Sequence, residues 1–183
     1  MSTTFASVRA ARAEIGSGVL VGAGAVGAAV AARYGAETAA VAPVFAAMVL
    51  CVLSAIDVRT RRLPNVIVLP AACALLCERL VTDPGRWTLW VAATFVPALL
   101  LFVVAITKPA GLGMGDVKLA LLLGAALGGA VVPALIVGTI LGGLFSAALL
   151  VRDGRSARGR TLPYGPFLAL GALAVLLAAA PYK

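Results

Sequence analysis

Apolar residues in this chain fall into long blocks separated by short polar ones. The blocks cover residues 15–32, 39–56, 63–77, 87–107, 117–151 and 162–180. Most approach the ~20 residues that a membrane-spanning helix requires. The block at 117–151 is too long for one span, and Gly128-Gly129 and Pro133 offer a break. The pattern predicts seven helices. Pro64 suits a first helical turn, where its missing N–H is harmless. Pro70 is tolerated in a membrane helix and predicts a kink. Trp87 and Trp90 open the fourth block as interfacial aromatics do.

Composition agrees. Of 183 residues, 62% are hydrophobic and 12% charged, too few polar side chains to cover a soluble domain of this length. The fold class is an all-α, polytopic transmembrane bundle. In a soluble chain a net charge of +8 would suggest nucleic acid. Here the basic residues lie between apolar blocks, so the partner they indicate is the lipid bilayer and not nucleic acid. With the N-terminus cytoplasmic, eleven cations fall on the inner side: Arg9, Arg12, Arg59, Arg61, Arg62, Lys108, Lys118, Arg152, Arg155, Arg158 and Arg160. Four fall outside, namely Arg33, Arg79, Arg86 and Lys183. That asymmetry has the direction of the positive-inside rule. The organisation expected is a cytoplasmic segment at residues 1–14 and one transmembrane domain over residues 15–183. A cleavable signal peptide ending near Ala29-Val30-Ala31 is the competing reading of the first block. Arg9 and Arg12 favour a retained cytoplasmic anchor.

The candidate chemistry is narrow. No histidine is present, which excludes Ser-His and Cys-His nucleophile pairs and histidine metal sites. Cys51, Cys73 and Cys77 lie within apolar blocks and lack the ligand number of a structural zinc site. No metal and no cofactor is expected. Among the acidic residues, Glu14, Glu37, Glu78, Asp83 and Asp153 fall in polar ends or loops, whereas Asp57 and Asp116 abut apolar blocks. An ionisable residue in that position is a functional-site hypothesis by default. Two complete spans separate them, and two crossings return a chain to the face it left, so both aspartates belong at the same depth. Two carboxylates brought together cannot both ionise cheaply and share a proton. One can then act as base on a water while the other, protonated, polarises a carbonyl. The alternative is ordinary ion pairing, Asp57 with Arg59 or Arg61 and Asp116 with Lys118. Gly111, Gly113 and Gly115, just before Asp116, permit unusual backbone angles and the close approach of another chain.

Gly113-Met114-Gly115-Asp116-Val117-Lys118 resembles the G-x-G-D-x-K signature of type IV prepilin peptidases, the bacterial branch of the GxGD intramembrane aspartic proteases. Asp57 followed by Leu63-Pro64-Asn65 is similar to that family's first aspartate and its downstream I-P-N. Leu162-Pro163-Tyr164-Gly165-Pro166-Phe167 is similar to its late P-(F/Y)-G-P segment. Three motifs in order make a specific match. The resemblance implies an aspartic endopeptidase of the bacterial cytoplasmic membrane, with prepilins or pseudopilins as substrates and Asp57 and Asp116 as catalytic residues. It implies that Gly113 and Gly115 let the leader approach and that Lys118 snorkels to the interface. Pro64, Asn65, Pro163, Gly165 and Pro166 would shape the site as scaffold.

Many family members carry a cytoplasmic, cysteine-paired domain that methylates the new N-terminus. No Cys-x-x-Cys occurs here, so cleavage without N-methylation is expected, as in the short peptidases of tight-adherence pilus systems. Two rival functions remain at the level of sequence. A transporter could use the aspartate pair as a proton relay. An assembly-platform protein could pack through Gly124, Gly128, Gly138 and Gly142, a spacing that suits a protease equally.

Overall fold

The computed structural model describes residues 16–34, 40–107, 113–154 and 163–178. Among these residues the chain forms seven α-helices and no strand. They are α1 (Ser17–Tyr34), α2 (Val41–Thr60), α3 (Asn65–Thr82), α4 (Trp87–Thr107), α5 (Met114–Leu127), α6 (Val131–Asp153) and α7 (Gly165–Ala178). Five stretches are long and apolar enough to cross a membrane, the last being Met114–Asp153, which holds both α5 and α6. The protein is a multi-pass membrane protein. The expected cytoplasmic segment at residues 1–14 lies outside the described residues.

The centre is α5. From Val117 to Leu127 every residue except Lys118 and Leu121 is buried. It is surrounded by α2, α3, α4 and α7. Around it the longer helices turn one stripe inward and the rest toward lipid. On α4 the buried residues are Trp90, Thr94, Ala98 and Ala105, while Phe95, Val96, Leu99, Leu100 and Val103 are exposed. Such an all-round apolar helix with a single inward stripe is what a bilayer-facing position requires.

Small residues bring the axes close. A Cβ on Gly124 would strike the carbonyl oxygen of Ala93 and come within 2.5 Å of Thr94 Cα, so α4 and α5 touch backbone to backbone. Between α6 and α7, Gly171 meets Ala134 and Gly138, and a Cβ on Gly138 would sit 2.9 Å from Leu168 Cα. This is the small-residue packing by which apolar helices associate in lipid, where dispersion replaces the hydrophobic drive.

Several element boundaries differ from those that hydropathy predicts. The second helix runs on to Thr60, so Asp57 stands inside its last turn and not beyond it. The third runs past Cys77 through Glu78 and Arg79 to Thr82, leaving only Asp83 and a 3₁₀ turn, Pro84–Arg86, as the connection. Pro64 is the N-cap of α3, one residue before the first turn, and its carbonyl accepts from Ile67 and Val68 N–H. The break in the long apolar block falls at the expected glycines, as a 3₁₀ turn over Gly128–Ala130. Gly128 has φ 54°, and a Cβ there would lie 2.6 Å from the Trp90 ring. Only glycine meets both conditions.

Arg79 explains the longer α3. It is 7% exposed, donates from Nη2 to Ala126 O at 3.3 Å, and holds its guanidinium 4.7 Å over the Trp90 ring. Its Nε lies 3.6 Å from Glu78 Oε2. Trp90 Nε1 donates in turn to Asp83 Oδ2 at 3.1 Å, which also takes Arg86 Nε at 2.7 Å. The cation thus ties the ends of α3 and α5 to the start of α4. Arg79→Met is expected to destabilise the protein by about 2–3 kcal/mol, through the lost charged hydrogen bond and cation–π contact. A lower midpoint of thermal unfolding in detergent checks it.

Candidate active site

At the opposite end of α5 the chain gathers Asp57, Asp116, Asn65, Lys118 and Gly165. The ends of four helices make the site: the last turn of α2 and the first turns of α3, α5 and α7. Lys118 Nζ donates to Asn65 Oδ1 at 2.6 Å, which fixes the starts of α3 and α5 at one level.

Asp57 is 6% exposed. Its helix stops just beyond it because Arg61 adopts the left-handed conformation, φ 52°, and returns its N–H to Asp57 O at 2.8 Å. That is a C-terminal αL cap built without glycine. The side chain points across to α7, where Gly165 N–H donates to Asp57 Oδ2 at 3.0 Å. Gly165 has no room for a side chain, since a Cβ would lie 2.7 Å from Oδ2 and 3.1 Å from Cγ.

Asp116 occupies the first turn of α5 and is half-buried. Its N–H donates to the carbonyl of Gly113, the N-cap, at 3.1 Å. It lies close enough to Asp57 for the charge of one carboxylate to act on the other. A carboxylate in a first turn is favoured by the helix dipole. Around Asp116 the glycines contribute space and not unusual angles. Gly113 has ordinary extended backbone and an exposed face, and a Cβ on Gly115 would press within 3.3 Å of Leu63 Cδ1. Gly111 lies outside the described residues.

The sequence alternatives separate here. The Asp116–Lys118 ion pair is not formed, because Lys118 turns to Asn65. Lys118 has a specific partner on α3 in an exposed bond, which leaves its reach to the interface open. Asp57 takes its hydrogen bond from a backbone amide. Pro64, Pro163 and Pro166 stand at the entries of α3 and α7, Pro166 in a first turn that needs no N–H from it. Tyr164 carbonyl accepts from Phe167 and Leu168 N–H, and its ring packs on Gly142 of α6. The entry to α7 is therefore held on both sides of Gly165.

Among the described residues no group of histidine, cysteine or acidic side chains could hold a metal ion. What the arrangement can do is exchange protons between two carboxylates and a water at the end of a membrane bundle.

A family model described as the Type IV leader peptidase family matches residues 44–150, a stretch that contains both aspartates. The chain belongs to that family. Its relatives include proteins named prepilin leader peptidase/N-methyltransferase from three bacteria. The one from Pseudomonas putida is 36% identical over 136 residues, 69% of this chain and 46% of its own. That from Burkholderia pseudomallei strain 1026b is 30% identical over 138 residues, covering 73% and 45%. That from Bacillus subtilis is 27% identical over 128 residues, covering 70% and 52%. The chain spans about half the length of the curated relatives it matches. No solved structure gives a significant match. The segment Pro163–Phe167 lies beyond the part matched by the family model, yet it supplies the amide that holds Asp57.

Proposed function

We propose that this protein is an intramembrane aspartic endopeptidase that removes the short basic leader from type IV prepilins or pseudopilins. It would act at the cytoplasmic face of the bacterial cytoplasmic membrane. The observation that carries this reading is the placing of Asp57 and Asp116, on helices two spans apart in sequence, at the same end of the bundle of a leader peptidase family member.

The chemistry follows from a pair that holds one proton. The ionised carboxylate removes a proton from a water, whose oxygen adds to the scissile carbonyl carbon. The protonated partner gives its proton to the carbonyl oxygen. Collapse of the tetrahedral intermediate breaks the C–N bond, the leaving amine takes a proton, and the pair returns to its starting state. No covalent intermediate is needed. Gly113, with its exposed face beside Asp116, leaves the extended leader a path to the carboxylates. Gly115 instead lets α5 lie on Leu63.

The test is incubation of the purified protein, in detergent or lipid, with a prepilin carrying a basic leader. Cleavage at the leader junction is expected, with a mature product whose mass corresponds to a free, unmethylated amino terminus. Several intact leaders after prolonged incubation would overturn the endopeptidase reading and bring a proton relay forward. A methylated product would overturn only the expectation of cleavage alone.

A further inference from the structure

Each carboxylate of the pair accepts a backbone N–H, but the two bonds tie to different things. Asp57 is held from another helix, by Gly165 at the start of α7. Asp116 accepts from Gly113, the N-cap of its own helix, which is the half of a capping box that a glycine N-cap permits. That bond orients the carboxylate on α5, but it moves with α5. Helix ends fray, and here Gly113 and Met114 are exposed while the buried core of α5 begins at Val117. The first turn of α5 therefore takes its place from a neighbouring element.

Two contacts supply it, one on either side of Asp116. Just before it, the Leu63 side chain lies against Gly115, with Cδ1 3.3 Å from where a Cβ would stand. Just after it, Lys118 Nζ donates to Asn65 Oδ1 at 2.6 Å. Leu63 belongs to the turn over residues 61–64, and Asn65 is the first residue of α3. That turn springs from the left-handed Arg61, whose N–H returns to Asp57 O at 2.8 Å. Asp57, the turn, Asn65, Lys118 and Asp116 thus form a short bridge of bonded pieces. Along the chain the route between the two aspartates runs through all of α3 and α4.

We propose that Asn65 and Lys118 are positioning residues: their bond, with Leu63 seated on Gly115, clasps the turn between α2 and α3 to the first turn of α5 and sets where Asp116 stands relative to Asp57. The role of Lys118 is then to hold α5 through an uncharged amide, and not to neutralise a carboxylate. The kinetic consequence rests on the endopeptidase reading; the clasp itself rests on the contacts alone.

The test is a double-mutant cycle on the purified full chain, with a prepilin carrying a basic leader as substrate. Lys118→Met and Asn65→Ala should each lose about 10- to 100-fold in kcat with KM within about twofold, since misplacing a catalytic group by about 1 Å costs on the order of 10²-fold. The double variant should lose no more than either single one, and Lys118→Arg, which keeps a donor, should stay within about threefold of native. Native kcat in Asn65→Ala, losses that multiply in the double variant, or losses carried in KM overturn the proposal and assign Lys118 to the substrate or the lipid. A second measurement needs no substrate. Hydrogen–deuterium exchange should quicken over residues 61–65 and 113–118 in both single variants, with α6 and α7 as in the native protein. Unchanged exchange in those segments, or exchange that quickens throughout the bundle, overturns the clasp. If exchange behaves as expected but native protein clips no prepilin, the clasp stands and the endopeptidase reading falls.

Discussion

Asp57→Asn and Asp116→Asn should each reduce leader cleavage by at least about 10³-fold while the protein remains folded. Asparagine keeps the shape of the side chain and can still accept from Gly165 N–H, so α2 and α7 stay together. What it cannot do is carry or exchange the proton. In the proposed mechanism the pair needs both carboxylates, one to act as base on the water and one to protonate the carbonyl oxygen. General acid–base catalysis contributes about 10²–10⁴-fold, and each substitution disables one half of a coupled pair. The double variant should therefore be little worse than either single one, as for residues that act as a unit. Single-turnover cleavage assays, with circular dichroism and thermal melts on the same preparations, measure this. A folded Asp57→Asn or Asp116→Asn protein with near-native cleavage would remove that aspartate from the mechanism.

A second large effect is expected far from the carboxylates. Gly124→Val should destabilise the protein by about 3 kcal/mol or more and abolish activity through the fold. The new side chain would occupy the space of the Ala93 carbonyl and crowd Thr94 Cα. Both obstacles are backbone, which cannot rotate away, so α4 must leave α5. Overpacking of this kind usually costs about 1–3 kcal/mol where side chains can yield. Because α5 also carries Asp116, eight residues earlier on the same rigid rod, its displacement moves the site. Gly143→Ala on α6 is the control, since a Cβ there meets nothing within 4 Å. Its melting temperature should stay at or slightly above the native value, as replacing a helical glycine by alanine allows. Thermal unfolding in a single detergent compares the two directly.

Much of this molecule is readable before any coordinates. Long apolar blocks mark the helices because lipid demands that the backbone satisfy itself. Parity then puts Asp57 and Asp116 on one side whatever the angles between helices. The helix break at Gly128-Gly129 is legible too, since few other residues tolerate its backbone. Hydropathy does not reveal Arg79. It reads as a loop cation, because nothing in the apolar count announces that Trp90, eleven residues on, will fold its ring beneath the guanidinium. The Lys118–Asn65 bond is hidden for a similar reason, as a charge four residues or fewer from Asp116 suggests the local partner first. Least visible is the bond from Gly165 to Asp57. A backbone amide has no residue code, and 108 positions separate donor from acceptor. Its one trace in the sequence is the glycine itself, set between Tyr164 and Pro166.

The helix that brings Asp116 to the site is short. The central helix α5 has 14 residues, about 21 Å of helix at a rise of 1.5 Å per residue. A bilayer's hydrocarbon layer is about 30 Å thick. The neighbours α4 and α6, with 21 and 23 residues, reach across it. The central helix is thus shorter than these two neighbours. Such a mismatch draws lipid headgroups and solvent inward over the shorter elements. For the hydrolytic role proposed above, a short central helix would offer water a shallower way to the carboxylates than a full span does.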